Sequence, residues 1–254
     1  MSAVVRLRGV PVGEGRAKVA ASLSSPRAAD LLAEAGRVLA AGVDVAEWRA
    51  DHALAAGTPV TGLPAALRER LGDTPLLLTV RSAHEGGAAT LDDAAYAAAV
   101  TSLLEPGGGD AVDLEAARHA VLPDLLARAR EAGLPVLVSA HDVHATPSAA
   151  EITDLLAAMA AAGADVVKLA VTARGPRDVL ALLEGTLAAR ETLDVPVVTM
   201  AMGPAGLVSR LCGEVFGSAL TFGAVDRPSA PGQIDARALR EVVDLVHEHG
   251  GGGR

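Results

Sequence analysis

At 254 residues, with a net charge of −9 and no long run of Lys or Arg, the chain offers no surface for tracking phosphates, so we expect no nucleic-acid partner. Its one cysteine, Cys212, excludes an intrachain disulfide and a cysteine-based metal cluster, and it fits a reducing cytoplasm. No apolar run reaches the roughly 20 residues that span a bilayer, and the N-terminus lacks the apolar core of a signal peptide, so we expect no membrane association.

A short apolar run followed by a longer stretch with helical spacing recurs eight times along the chain. The predicted strands cover residues 18–23, 43–49, 75–81, 110–115, 135–141, 165–170, 196–201 and 219–224. The predicted helices cover residues 27–41, 62–72, 91–104, 116–132, 148–162, 177–191, 204–212 and 235–248. Eight such units in a chain of this length favour a (β/α)₈ TIM barrel over an open sheet. No GxGxxG or GxxxxGK loop follows a strand, which also argues against the nucleotide-binding open sheets.

The two ends of the chain differ from these repeating units. The segment VVRLRGVPVGEG is typical of a hairpin, which we expect to lie within residues 1–16 and to cap the bottom of the barrel. We expect the Gly-rich tail, residues 250–254, to be disordered. The chain as a whole, residues 1–254, is therefore predicted to form one TIM-barrel domain.

Polar side chains alternate near the ends of five predicted strands. Residues two positions apart share a strand face. This pairs Glu47 with Arg49, Thr79 with Arg81, Asp113 with Glu115, Ser139 with His141, and Val166 with Lys168. In a barrel the shared face is the interior, and the carboxyl ends of the strands are where TIM barrels place their active sites. The ionisable side chains are too many for a packed core, so they predict a polar pocket.

These residues also allow structural interpretations. Lys168 could pair with Asp113 or Glu115, because buried charges are usually paired. His141 could be a hydrogen-bonded residue at a strand end, and the arginines could simply neutralise the acids. The convergence of all these groups at one mouth of the barrel favours a functional site.

The combination of a buried lysine, a histidine and arginines is suited to imine chemistry. A lysine amine that is desolvated or placed among cations loses its proton readily and condenses with a ketone. A nearby histidine can then remove the acidified C–H proton and later protonate a leaving group. Arginines bind an anionic substrate, preferably a carboxylate. Lys168 is thus the candidate nucleophile and His141 the candidate general acid/base, and no residue spacing predicts a metal site.

The candidate residues lie in a series of distinctive motifs. In chain order these are EWRADH (47–52), TVRSAHEGG (79–87), DLE (113–115), SAHDVHATP (139–147), VVKLA (166–170), SRLCGEVFGSALTFGA (209–224) and SAPGQ (229–233). Together they resemble the type I 3-dehydroquinate dehydratases of the shikimate pathway, from about Lys18 to Gln233. The resemblance implies a cofactor-free dehydration of 3-dehydroquinate to 3-dehydroshikimate, in a protein that is often a homodimer.

The resemblance also implies roles for individual residues. Lys168 matches the Schiff-base lysine, His141 the general acid/base, and Glu85 the acid that orients the histidine. The residues that match the group binding the substrate carboxylate are Arg210, Ser229 and Gln233. The residues that match those holding the ring hydroxyls are Glu47, Arg49 and Arg81. Ser22 matches a position lining the pocket, and Asp113 and Glu115 match partners of the pocket cations.

Two other functions remain open at this point. A class I aldolase would also form an imine, but it usually needs a phosphate site after the seventh and eighth strands, where this chain has SAPGQ and Arg210. A non-catalytic sensor of the same metabolite could use the same barrel, because fold alone does not fix function. Such a sensor would need neither Lys168 nor His141, and both are present.

Overall fold

The computed structural model describes residues 4–250. Its strands are β1 (Val5–Leu7), β2 (Val10–Val12), β3 (Lys18–Leu23), β4 (Val45–Arg49), β5 (Leu76–Thr79), β6 (Ala111–Glu115), β7 (Val136–Asp142), β8 (Val166–Thr172), β9 (Val197–Met202) and β10 (Leu220–Gly223). Its α-helices are α1 (Ala28–Ala40), α2 (Ala50–Ala55), α3 (Leu63–Leu71), α4 (Asp93–Leu103), α5 (Leu122–Glu131), α6 (Ala149–Ala161), α7 (Pro176–Thr192), α8 (Leu207–Cys212) and α9 (Ala236–His249).

Strands β3 to β10 form one parallel sheet that curls into a barrel. From β3 to β9 each strand pairs with the next in chain order, and β10 returns to pair with β3. The remaining seam, between β9 and β10, is joined by a bridge between Val197 and Ser218, where the N–H of Ala219 donates to the Val197 carbonyl at 2.8 Å. The predicted (β/α)₈ TIM barrel is confirmed.

The lower half of the barrel interior is apolar and closed. The hairpin residues Leu7 and Val12 are buried against side chains that point into the barrel, namely Ala20, Val45, Leu77, Ala111, Leu137, Val166, Val198 and Leu220. The antiparallel pairing of β1 with β2 therefore confirms a hairpin that caps the barrel bottom. Because the bottom is filled, the ionisable side chains one layer higher face only the opposite mouth.

The outward faces of the strands pack against the helices in a second apolar cluster. Trp48 is fully buried there, as alternation along β4 predicts, since its neighbours Glu47 and Arg49 face the other way. Helix starts follow local chemistry: the Ser148 side chain caps α6 in a capping box with Glu151, and Asp235 caps α9. The helices thus pack around the outside of the barrel.

Three helical segments differ most from the predicted ones. The helix predicted over 116–132 begins only at Leu122, because residues 116–121 form turns in which Arg118 bonds back to Glu115. The segment 204–212 is a 3₁₀ turn, Pro204–Gly206, followed by the short α8. Helix α2 was not predicted, since its six residues are too few to show a helical period.

The ends of the chain leave some predictions open. Residues 1–3 of the predicted hairpin segment and 251–254 of the predicted tail lie outside the described residues. The disorder of that tail and the single-domain assignment of residues 1–254 stay predictions. Within residues 4–250, no helix combines the length and apolar character that crossing a bilayer requires.

Candidate active site

A cavity of about 300 Å³ opens at the carboxyl ends of the barrel strands. Its lining includes all ten predicted site residues: Ser22, Glu47, Arg49, Arg81, Glu85, His141, Lys168, Arg210, Ser229 and Gln233. These residues come from strands and loops far apart in the sequence, so the fold brings them together. Asp113 and Glu115 do not line the cavity, but they pair with cations that do.

Lys168 projects from β8 with only 3% of its surface exposed. Its Nζ lies 3.0 Å from Asp113 Oδ2 and 3.8 Å from Glu47 Oε1, and 4.9 Å from the centre of the Phe222 ring. The structural interpretation therefore holds in part, because Lys168 pairs with Asp113, whereas Glu115 pairs with other cations. Burial opposes ionisation of Asp113, but Arg81 and Lys168 hold the pKa of its carboxyl well below the usual range.

His141 lies at the end of β7 with its Nδ1 2.9 Å from Glu85 Oε2. Burial, together with Arg81 and Lys168, lowers the pKa of His141 well below its ordinary value of 6.5, so the ring is neutral at pH 7. When Glu85 is ionised it accepts a hydrogen bond from the Nδ1–H group of His141, which leaves the Nε2 lone pair available as a base. When Glu85 is protonated it donates to Nδ1, and Nε2 then carries the proton.

The pKa of Glu85 lies near neutral pH, so both of these states are accessible. Burial, with Glu115 and Asp113 nearby, raises the pKa of Glu85 to about 7 against the opposing effect of Arg81. Arg81 Nη1 donates to Glu85 at 2.8 Å, while its Nη2 donates to Asp113 at 2.6 Å and to Ser139 Oγ at 3.0 Å. Because acids already occupy these donors, the role of Arg81 toward substrate hydroxyls stays a prediction.

One wall of the cavity is held by two carboxylates of the EWRADH motif. Glu47 accepts hydrogen bonds from Ser22 Oγ at 2.6 Å and Thr79 Oγ1 at 3.1 Å. Asp51, which is fully buried, accepts from Arg49 Nε at 2.8 Å and Arg49 Nη2 at 2.9 Å. This bidentate pair fixes the orientation of the Arg49 guanidinium at the cavity.

Arg210 on α8 is a buried cation with no acidic partner among residues 4–250. It is 2% exposed, its Nε has no hydrogen-bond partner among the described residues, and burial lowers its pKa to about 10. Its Nη1 lies 3.5 Å from both Met200 Sδ and the Phe222 carbonyl oxygen. A buried, uncompensated guanidinium at a cavity wall is suited to bind an anion.

The segment between β10 and α9 forms the wall beside Ser22. Gln233 Oε1 accepts a hydrogen bond from the backbone N–H of Ser229 at 2.7 Å, and Ser229 Oγ lies 3.1 Å from Ser22 Oγ. The Gly203 N–H donates to the Pro231 carbonyl at 3.2 Å. The loop is therefore anchored on both sides of the cavity.

Several residues at or behind the cavity were not predicted as site residues. Asp51 lies inside EWRADH, and its place two residues after Arg49 was the available signal. Phe222 follows the inward alternation of β10 and could have been found from it. Arg118, Ser82 and Tyr96 surround Glu115 from loops and helix α4, where strand alternation gives no signal.

One group in the described chain has the donor types of a metal site. His84, Glu85 and Glu115 bring ligand atoms within 4.8 Å of one another. Arg81 and Arg118 already neutralise the two carboxylates, and Ser82 donates to Glu115 through both its N–H and its hydroxyl. This donor set is therefore arranged as an ion-pair network, which gives a divalent cation little free negative charge.

Comparisons with known proteins give a consistent result. The family model described as type I 3-dehydroquinase matches residues 19–249. A 3-dehydroquinate dehydratase from Salmonella paratyphi B is 41% identical over 248 residues, which cover 96% of this chain and 98% of that protein.

Solved structures agree with the sequence comparison. A type I 3-dehydroquinate dehydratase from Clostridium difficile, solved with covalently modified comenic acid, has a TM-score of 0.92 at 35% identity and covers 97% of this chain and 98% of its own. A 3-dehydroquinate dehydratase from Geobacillus kaustophilus has a TM-score of 0.93 at 32% identity and covers 97% of each chain.

Proposed function

Because the chain belongs to the type I 3-dehydroquinase family and is thus a 3-dehydroquinate dehydratase, a hydro-lyase, we propose that it acts through a Schiff base on Lys168 with His141 as general acid/base. Membership of this family favours dehydration over the aldol cleavage and the non-catalytic sensing that the sequence left open. The observation that supports the proposed chemistry best is the placement of Lys168, His141 and Arg210 on one cavity of about 300 Å³.

The proposed reaction uses only side chains of this chain. After its ammonium has released a proton to water, Lys168 attacks the substrate ketone, and loss of water gives an iminium. His141 Nε2 then takes a proton from C2, and the electron pair moves into the iminium to form an enamine. The enamine expels the C1 hydroxyl, which leaves as water after protonation by His141. Hydrolysis of the resulting imine releases 3-dehydroshikimate and restores Lys168, so no cofactor or metal enters the balance.

The surrounding residues would orient the substrate. We assign the substrate carboxylate to Arg210, with Ser229 and Gln233 beside it, because this guanidinium has no acid of its own. We assign the ring hydroxyls to Glu47 and Arg49, which offer an acceptor and a donor at the cavity, with Arg81 and Ser22 as further members of that group. Glu85 would hold the proton on His141 Nδ1.

Reductive trapping tests the imine directly. Incubation with 3-dehydroquinate and sodium borohydride is expected to inactivate the enzyme and to add mass to the peptide that contains Lys168. The chain has a natural control, since its only other lysine, Lys18, lies at the barrel bottom and donates to the carbonyls of Glu14 and Arg16. Saturable ligand binding without an adduct on Lys168 would contradict the proposed mechanism.

Gln233→Ala tests the carboxylate end of the cavity. The variant loses the acceptor that holds the Ser229 N–H, so we expect KM to rise by about tenfold, the effect of roughly one hydrogen bond, with a smaller change in kcat. Steady-state kinetics would measure both constants in the variant and in the wild type. An unchanged KM with a collapsed kcat would contradict a binding role.

Other predictions concern the setting of the enzyme. We propose a homodimer in the cytoplasm that acts in the shikimate pathway on the small molecule 3-dehydroquinate. The family assignment supports this setting. The absence of nucleic-acid partners stays a prediction.

A further inference from the structure

Arg118 is a buried arginine that the proposed reaction does not use. It lies in the turns between β6 and α5, is 7% exposed and is not part of the cavity lining. Its Nε donates to Glu115 at 3.2 Å, and its guanidinium stacks over the Tyr96 ring at 4.7 Å. Its other nitrogens donate to Asp93 Oδ1 at 2.8 Å, Ser82 Oγ at 2.6 Å and the Leu91 carbonyl at 2.9 Å.

Glu115 connects this arginine to the cavity. Its carboxylate, which is fully buried, lies between Arg118 on one side and Arg81 on the other. The contact from Arg81 Nη1 to Glu115 is long, at 3.4 Å, whereas the same nitrogen lies 2.8 Å from Glu85. Arg118 and the Ser82 N–H, which donates to Glu115 at 2.7 Å, thus keep the Glu115 carboxylate away from Arg81. Arg81 Nη1 therefore stays bonded to Glu85.

We propose that Arg118 is a positioning residue for the dehydration: by binding Glu115 it keeps Arg81 on Glu85 and thereby sets the charge around the Glu85–His141 pair. The proposal rests on the proposed role of His141 as general acid/base. It assigns function to a residue that contacts neither the cavity nor the pair itself.

The charge balance around the pair gives the direction of the effect. The ionisable groups around Glu85 and His141 are Arg49, Arg81, His84, Asp113, Glu115 and Lys168, and behind Glu115 lie Tyr96, Asp93 and Arg118. Without Arg118, the Glu115 carboxylate loses a cationic partner. The added negative field favours the protonated forms of Glu85 and His141 and so raises the pKa of each.

Arg118→Met is therefore expected to move the acid limb of the kcat profile to higher pH. His141 Nε2 is a free base only when Glu85 is ionised. If the pKa of Glu85 is higher, Glu85 becomes ionised only at a higher pH. We expect a shift of about 0.5 to 1 pH unit, within the range that a nearby charge produces. Arg118→Lys keeps the positive charge and should restore most of the profile.

Two further variants separate positioning from a structural role. Tyr96→Phe removes the hydroxyl that accepts the Glu115 N–H at 3.0 Å and leaves every charge in place, so its profile should match the wild type even if its Tm falls. The double variant Arg118→Met/Glu115→Gln should behave like Glu115→Gln alone, because Arg118 acts through the Glu115 charge. The double variant also removes both charges together, so it tests the proposal even where Arg118→Met folds poorly.

The outcomes distinguish this inference from the mechanism on which it rests. An Arg118→Met enzyme with the wild-type pH profile, or additive shifts in the double variant, would overturn the role of Arg118. Borohydride trapping of Lys168 in the wild type and in Arg118→Met is run in parallel. If Lys168 is trapped in both enzymes and their pH profiles are the same, only this inference is overturned. If Lys168 is not trapped in the wild type, the proposed mechanism is overturned.

Discussion

Lys168→Met is expected to lower kcat by about 10⁴-fold or more, which corresponds to at least ~5 kcal/mol in the activation free energy. The thioether chain fills nearly the same volume but offers no amine, so the covalent route is lost and only binding and general catalysis remain. Steady-state assays of substrate loss, with borohydride trapping on the same samples, would check the result. Substrate affinity, measured by equilibrium titration, should change much less.

The fold of this variant should survive, because Asp113 keeps two other partners. Arg81 Nη2 at 2.6 Å and Ser139 Oγ at 2.6 Å still bind its carboxylate after the ammonium is removed. Lys168→Arg is the matched control: it retains a cation beside Asp113 but cannot form an imine, so it should be equally inactive. More than about 1% of wild-type kcat in either variant would contradict covalent catalysis by Lys168.

Much of the fold was predictable because strand alternation and helical spacing are local properties. The inward placement of Glu47, Asp113 and Lys168 follows from the period of two on each strand and from closure of the barrel. The hairpin was predictable from the segment VVRLRGVPVGEG, and its burial follows from the apolar Leu7 and Val12. The predicted start of α5 was wrong because Arg118 turns back toward Glu115. The spacing of apolar residues gives no information on that contact.

Which residues form the site was more predictable than which of them pair with each other. Alternation indicates that Asp113 and Glu115 both lie near cations, but it cannot show that Asp113 binds Lys168 while Glu115 binds Arg118 and Arg81. Those partners depend on side-chain geometry across neighbouring strands and loops. The pairing of Asp51 with Arg49 was equally unpredictable, because its two hydrogen bonds depend on the turn from β4 into α2.

Arg210→Met is expected to weaken substrate binding and stabilise the free enzyme at the same time. At neutral pH the guanidinium is charged in both folded and unfolded chains, but burial lowers its pKa from 12.5 to about 10 in the folded state. The folded protein therefore binds this proton less tightly, which opposes folding by roughly 3 kcal/mol. Removing the charge should raise Tm by about 6 to 12 °C, since the replacement is apolar and of similar length.

The same substitution should raise KM by about 100-fold, because a carboxylate would lose its buried cationic partner, an effect of ~2.7 kcal/mol. Calorimetry and steady-state kinetics would measure the two effects on one preparation, and Arg210→Lys, which retains charge without the planar fork, should fall between the two enzymes in KM. A ring ketone lacking the carboxylate provides the matched ligand, since its affinity should be equal in wild type and variant. If Arg210→Met instead lowers Tm and leaves KM unchanged, Arg210 is a structural residue, and the carboxylate must bind elsewhere in the cavity.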